Sequence, residues 1–96
     1  MGFSERVYNA TKKIPKGKVS TYKDIAKMLN CKAYRAVGNA LNNNCSKDVP
    51  CHRVIKSNGF VGGFNHGIKK KILLLKKEKI KVKNSRVNLV KYLFKF

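Results

Sequence analysis

Apolar residues recur at the 3.6-residue spacing of an amphipathic helix in four stretches of this chain, and a turn-rich stretch without that spacing precedes the last of them. The pattern restricts the chain to a small, mainly α domain with one loop-rich insertion between helices. Phe3, Val7, Ala10 and Ile14 mark a helix over about Ser4 to Ile14, which Pro15-Lys16-Gly17 stops. Thr21 and Asp24 make a capping box ahead of Tyr22, Ile25, Ala26 and Leu29, so a second helix is expected to run to about Leu29. After Asn30-Cys31-Lys32, the residues Ala33, Tyr34, Val37 and Leu41 continue the pattern until Asn42-Asn43-Asn44, a poor helix interior. Residues 45–66 carry Pro50, Gly59, Gly62 and Gly63 around the short apolar pieces Val54-Ile55 and Phe60-Val61, which predicts loops or a brief hairpin. Gly67 then opens a helix with Ile68, Ile72 and Leu75 on one face and Lys69, Lys70, Lys76 and Lys77 largely elsewhere, ending near Lys79. Beyond it, Val87, Leu89, Val90, Tyr92, Leu93, Phe94 and Phe96 alternate with basic residues in a pattern that suits a helix or a strand. The expected organisation is therefore a domain over 1–80 and a basic-hydrophobic extension over 81–96.

Ninety-six residues hold one core, and at 43% hydrophobic content with five Phe and four Tyr that core is large enough to fold. Twenty-three Lys and Arg against four Asp and Glu leave a formal charge of +19. Such an excess favours a polyanion through phosphate contacts and counterion release, so nucleic acid is the first partner to consider. A membrane surface, an acidic protein, or the Lys enrichment of a heat-loving organism are the competing sources of the same charge. No apolar run reaches the length of a membrane span, and the first residues lead into an amphipathic pattern unlike a signal peptide. A cytoplasmic monomer is the expectation. Cys31, Cys45 and Cys51 are too few for a disulfide framework, and their odd number leaves at least one thiol over.

Two short helices over 21–29 and 33–42 have the lengths of a helix-turn-helix. An ordinary αα-hairpin is the alternative, and Lys23, Lys27, Lys32 and Arg35, each a candidate phosphate contact, tilt the reading toward DNA.

Pro50-Cys51-His52-Arg53-Val54 is the sharper feature. A cysteine is nucleophilic as the thiolate, and a neighbouring base or positive charge favours that form. His52 is placed to take the proton, directly or through a water, provided a carboxylate holds its tautomer. Glu5, Asp24, Asp48 and Glu78 are the acidic residues available for that. Against this stands the plain structural reading, a buried Cys51 beside a loop histidine. Cys31, Cys45, Cys51, His52 and His66 lack the paired spacing of a zinc site, so no metal is expected.

Several segments together resemble the C-terminal catalytic domain of the O6-alkylguanine-DNA alkyltransferases, the single-turnover DNA-repair methyltransferases. They are Ile14-Pro15-Lys16-Gly17-Lys18-Val19-Ser20-Thr21-Tyr22, Arg35-Ala36-Val37-Gly38-Asn39-Ala40-Leu41 with Asn44, Val49-Pro50-Cys51-His52-Arg53-Val54-Ile55, and Gly59-Phe60-Val61-Gly62-Gly63-Phe64. The resemblance implies a winged-helix-like helix-turn-helix with the acceptor Cys51 on the loop or hairpin segment. It also implies His52 acting through a water as base, Glu78 orienting it, and Asn44 shaping the pocket. Double-stranded DNA with an alkylated guanine is the implied partner, with Arg35 entering the base stack from the minor groove while the damaged nucleotide is rotated out. Tyr22 is implied near that nucleotide, where its spacing also suits a core side chain. The DNA-facing set is Arg35, Tyr22, Arg53, Thr21, Lys23, Lys32 and Asn39, and the pocket wall is Phe64, Val54 and Asn65. Phe64 stands where a tyrosine is often found, so a hydrogen bond to the guanine oxygen must come from backbone or Asn65. No cofactor is implied, because the alkyl group passes directly to sulfur.

Two departures qualify the resemblance. It covers only the catalytic domain, so the surface that the family's N-terminal domain covers needs another cover, for which Val87 to Phe96 is the candidate. A similar length is found in the alkyltransferase-like lesion sensors, which lack the acceptor cysteine, whereas Cys51 is present here. The sequence thus points to stoichiometric transfer to Cys51. A lesion sensor or other DNA-binding module is the rival, and a basic RNA-associated protein is a third possibility.

Overall fold

A computed structural model describes residues 2–43, 46–63 and 67–96. Asn44, Phe64 and Asn65, each expected at the site, lie outside the described residues, as do Cys45 and His66. The elements in order are α1 (Phe3–Thr11), β1 (Ser20–Thr21), α2 (Tyr22–Met28), α3 (Tyr34–Asn42), a single 3₁₀ turn at Cys51–Arg53, β2 (Val54–Ile55), α4 (Ile68–Lys77), β3 (Val82–Lys83), β4 (Arg86–Val87) and a short α5 (Leu89–Tyr92).

The first helix stops at Thr11, short of the expected Ile14, because its last turn tightens. The Thr11 hydroxyl donates to the Val7 carbonyl at 2.8 Å, and the Lys13 and Ile14 amides bond three residues back, to Ala10 and Thr11. Ile14 is buried all the same, so the apolar spacing outlasts the helical hydrogen bonding. Thr21 caps α2 as its sequence predicts, its hydroxyl accepting from the Asp24 amide at 3.0 Å. Asn30, at φ 58°, ends the α2 turn in the left-handed region that Asn tolerates best after Gly, and α3 crosses back over α1 and α2. Tyr8 ties α1 to the end of α3 by donating to the Ala40 carbonyl at 2.8 Å.

Val54-Ile55 does form a strand, but with a different partner from the one a local hairpin implies. It pairs in parallel with Ser20–Thr21, in the register Ser20 to Val54 and Thr21 to Ile55, while Phe60 bridges to Arg86. Successive strand residues point to opposite sides, and this two-residue ribbon uses the rule to divide the interior. Val54 joins the cluster of Val7, Ile14, Ile25, Val37 and Leu41 under the first three helices, and Ile55 joins Val19, Val61, Leu75, Ile80, Val87 and Tyr92 under α4 and the C-terminal segment. Each fully buried Val, Ile or Leu is worth roughly 1.5–3 kcal/mol relative to exposure. The second cluster therefore depends measurably on the residues after position 80.

That C-terminal segment is both strand and helix. Asn84 and Ser85, at φ 53° and 59°, form a two-residue hairpin turn that requires positive φ at both central positions. Asn88 then caps α5 by accepting from the Val90 amide at 3.0 Å.

On α4, Leu75 is buried and Ile72 half-buried as their spacing predicts, and the departures are Ile68 at the outer end and a buried Lys71. Ile68 is 36% exposed and Leu73 51% exposed, whereas Leu75 and Lys71 are fully buried. Lys71, Leu75 and Glu78 lie four and three residues apart, one helical stripe, and it is this stripe that faces the 3₁₀ turn.

Candidate active site

Cys51 owes its position to a tight turn pinned on both sides. Its amide donates to the Val49 carbonyl at 2.8 Å, the Arg53 amide donates to the Pro50 carbonyl at 2.9 Å, and β2 follows at once. The residue is 8% exposed, at the edge of the first cluster.

His52 and Arg53 leave the same turn toward Glu78, the C-cap of α4. The His52 Nε2 lies 2.8 Å from Glu78 Oε2. Arg53 donates from Nε to Oε1 at 2.9 Å and from a terminal nitrogen to Oε2 at 2.7 Å, and its other terminal nitrogen reaches the Ile14 carbonyl at 2.9 Å. Burial lowers the His52 pKa below its ordinary 6.5, with the Glu78 hydrogen bond working against it. Burial works to raise the Glu78 carboxyl, but the hydrogen bonds from Arg53 and His52 outweigh it and hold the group below its usual range. A neutral ring whose Nε2–H donates to this carboxylate presents Nδ1 as its acceptor.

Lys71 is the member that the sequence reading missed. It is fully buried, and its Nζ donates to the Val54 carbonyl at 2.7 Å, the Gly63 carbonyl at 3.1 Å and the Tyr22 hydroxyl at 3.3 Å. Burial pulls its pKa down to about 7, and the negative charge of Cys51 pulls it back up. Tyr22 moves the other way, to about 12, through burial and the same Cys51 charge. Cys51, Lys71 and Tyr22 are thus electrostatic neighbours. The signal that identifies Lys71 in the sequence is its register: four residues before Leu75 and seven before Glu78, it lies on the stripe that must face inward.

The face beyond Tyr22 opens into a cleft of about 660 Å³. Tyr22, Lys23, Arg35 and Asn39 form one wall, and Lys56, Ser57, Asn58 and Gly63 the other. Arg35 and Asn39 are exposed on α3, and the Lys23 ammonium stands 5.5 Å above the Tyr34 ring. Lys32 is exposed in a second groove, with Lys27 and Cys31 at the α2–α3 turn.

Three of the expected site residues are turned inward. Arg53, expected at DNA, is turned inward, because its guanidinium meets the Glu78 carboxylate and a backbone carbonyl and only 17% of its side chain is exposed. Thr21 is 3% exposed and its hydroxyl caps α2. Val54 is 0% exposed, with its side chain in the core and its carbonyl accepting from Lys71. Among the described residues, no three His, Cys, Asp or Glu side chains gather as metal ligands would.

Comparison with known proteins gives this geometry a context. Residues 2–80 match the sequence model of the 6-O-methylguanine DNA methyltransferase DNA-binding domain. A methylated-DNA--protein-cysteine methyltransferase of Methanosarcina acetivorans is 50% identical over 78 residues, 79% of this chain and 50% of the relative. Among solved structures, Atl1 of S. pombe, crystallised in complex with damaged DNA containing O6-carboxymethylguanine, superimposes with a TM-score of 0.89 at 32% identity, over 98% of this chain and 95% of that one. The OGT of Mycobacterium tuberculosis in complex with DNA superimposes with a TM-score of 0.78 at 40% identity, over 82% of this chain and 49% of that one. The chain spans about half or less of the length of the curated relatives it matches. The match over 2–80, the helix-turn-helix of α2 and α3, and the turn at Cys51 together show that the chain belongs to the 6-O-methylguanine DNA methyltransferase family, through that family's DNA-binding domain.

Proposed function

We propose that this domain binds duplex DNA containing an O6-alkylated guanine and transfers the alkyl group, irreversibly, to the Cys51 sulfur. The observation that carries the proposal is the short contact of His52 Nε2 with Glu78 Oε2, on the residue next to Cys51. It leaves Nδ1 as the basic atom of the ring on the residue that follows Cys51. In the reaction, the thiol proton passes to Nδ1, directly or through a water. The sulfur forms a bond to the alkyl carbon, the carbon–O6 bond breaks with its electron pair going to the purine, and that same proton ultimately restores the guanine. A charged Lys71 beside the thiolate stabilises it, and no cofactor takes part. The thioether is a poor leaving group, so each molecule reacts once.

A guanine inside a duplex cannot reach a thiol at the edge of a core, so the nucleotide must leave the stack. The cleft beside Tyr22 is the space offered to it, and Arg35 on exposed α3 is the side chain offered to the gap. Lys23, Lys32 and Asn39 are the accompanying backbone contacts.

The test is the mass of the Cys51 peptide after incubation with a methylated-guanine duplex. An irreversible mass gain that is absent from Cys51→Ser supports transfer. Tight lesion binding with an unmodified peptide supports a lesion sensor instead, the reading that the near end-to-end match with Atl1 favours.

A further inference from the structure

The cleft has one wall on α2 and α3 and another at residues 56–58; the β1–β2 pair joins their bases at Thr21 and Ile55, and the turn beyond Ile55 needs a further hold. Residues 56–60 turn back on themselves through bonds from the Lys56 amide to the Phe60 carbonyl and from the Gly59 amide to the Lys56 carbonyl, both 2.9 Å. Among the described residues, nothing between Ile55 and Ile68 adds a helix or a paired strand to hold this turn. What grips it comes from the far end of the chain. The Val87 amide donates to the Gly59 carbonyl at 2.8 Å, the Val61 amide donates to the Ser85 carbonyl at 2.9 Å, and Arg86 donates to the Asn58 carbonyl at 3.2 Å. The fit is close: a Cβ on Gly59, where φ is +89°, would stand 2.8 Å from the Val87 carbonyl oxygen.

The same segment then crosses to the other wall. The Val19 amide donates to the Tyr92 carbonyl at 2.9 Å and the Phe94 amide donates to the Val19 carbonyl at 2.7 Å. Val19 leads directly into β1 and so into Thr21, the cap of α2. Residues 85–94 therefore bond to the base of both walls; they lie beyond the 2–80 stretch that the family's sequence model matches, while the superposition on Atl1 spans 98% of this chain.

We infer that the C-terminal segment is a brace that sets the width of the cleft, with Gly59 and Arg86 as positioning residues for the nucleotide that enters it. For its catalytic consequence the inference rests on the transfer reaction proposed above. A misplacement of about 1 Å far from the chemistry costs up to about a hundredfold in rate, so loosening this contact slows transfer more than it weakens DNA binding.

Gly59→Ala tests the contact without changing charge, and Arg86→Met removes a single bond should Gly59→Ala fold poorly. Three measurements are made on each: transfer rate at saturating methylated-guanine duplex, affinity for undamaged duplex, and hydrogen exchange of the Val61 and Val87 amides. The expected result for Gly59→Ala is a rate loss of about tenfold or more, affinity for undamaged duplex within about twofold, and faster exchange at both amides. Arg86→Met is expected to act in the same direction and less strongly. A saturating rate equal to that of the unmodified protein overturns the inference, and so does wild-type protection of both amides in Gly59→Ala. If the unmodified protein transfers nothing, the transfer reading fails, and the exchange result still decides whether the brace exists.

Discussion

Arg53 and Arg35 are the same residue type eighteen positions apart, and the fold uses them in opposite ways. Around Arg53 the charges are enclosed: Glu78 receives the Arg53 guanidinium and the His52 ring, Lys71 is wholly buried, and the hydrogen-bonding groups meet one another at 2.7 to 3.3 Å. Around Arg35 they are open: Lys23, Lys32 and Asn39 face solvent, and an aromatic ring is the nearest partner of Lys23. The cationic side chains thus fall into two environments, one enclosed around Glu78 and one facing solvent, where an approaching phosphate would meet it. The enclosed region should respond to mutation through stability and pH, and the open one through DNA binding and salt.

Lys71 offers the largest contrast. Its pKa is about 7 in the fold against 10.5 in a model chain, so between these values the unfolded chain binds one more proton than the folded one. Stability should therefore rise with pH through that window, by about 1.4 kcal/mol per unit and on the order of 5 kcal/mol in all. Tyr22, raised from 10.0 to about 12, reverses the sign above pH 10, where the unfolded chain gives up a proton the fold retains. Urea denaturation from pH 7 to 11 on the wild-type protein and Lys71→Met checks this: the rise should be missing from the variant. An equal rise in both would place Lys71 with the open region.

Next in size is Glu78→Gln. It leaves the enclosed Arg53 without a counter-charge, which costs on the order of 3 kcal/mol, and it loosens the hold on His52. Both the denaturation midpoint and the transfer rate should fall. A variant as stable as wild type would mean that Arg53 finds water instead.

Arg35→Ala should leave the melting temperature nearly unchanged, within about 0.5 kcal/mol of stability. Lesion affinity should weaken by about 1–2 kcal/mol, with a shallower salt dependence. Anisotropy titrations at several salt concentrations measure both. A stability loss larger than the affinity loss would erase the distinction between the two regions.

The smallest effect belongs to His52. Its folded pKa lies below the unfolded 6.5, so it contributes stability above that value that is lost as pH falls toward the folded one. His52→Gln should flatten this acid-side slope, and a slope unchanged in the variant would assign it to the carboxylates.

The difference between the two regions also explains which parts were legible beforehand. Cys51 and His52 stand out as an adjacent pair, Glu78 among four acidic residues comes only from the family resemblance, and Thr21 announces a helix cap in four residues. Arg53 is adjacent to His52 in the motif, yet nothing local tells whether a guanidinium faces a duplex or a carboxylate twenty-five residues away. Lys71 is hidden by its type, since a lysine among lysines reads as surface until the stripe shared with Leu75 and Glu78 is counted.

The amino-acid sequence alone determined the helical blocks, the turn that carries Cys51 and the excess of cationic charge, because helix periodicity, capping and composition act over a few residues or over the whole chain without regard to fold. Only the tertiary structure decided that Val54-Ile55 pairs with Ser20–Thr21, that Lys71 and Arg53 point inward, and that the last residues grip the Gly59 turn. Those outcomes depend on contacts between segments far apart in the chain, where one strand register or one helical face settles which of two similar side chains is enclosed.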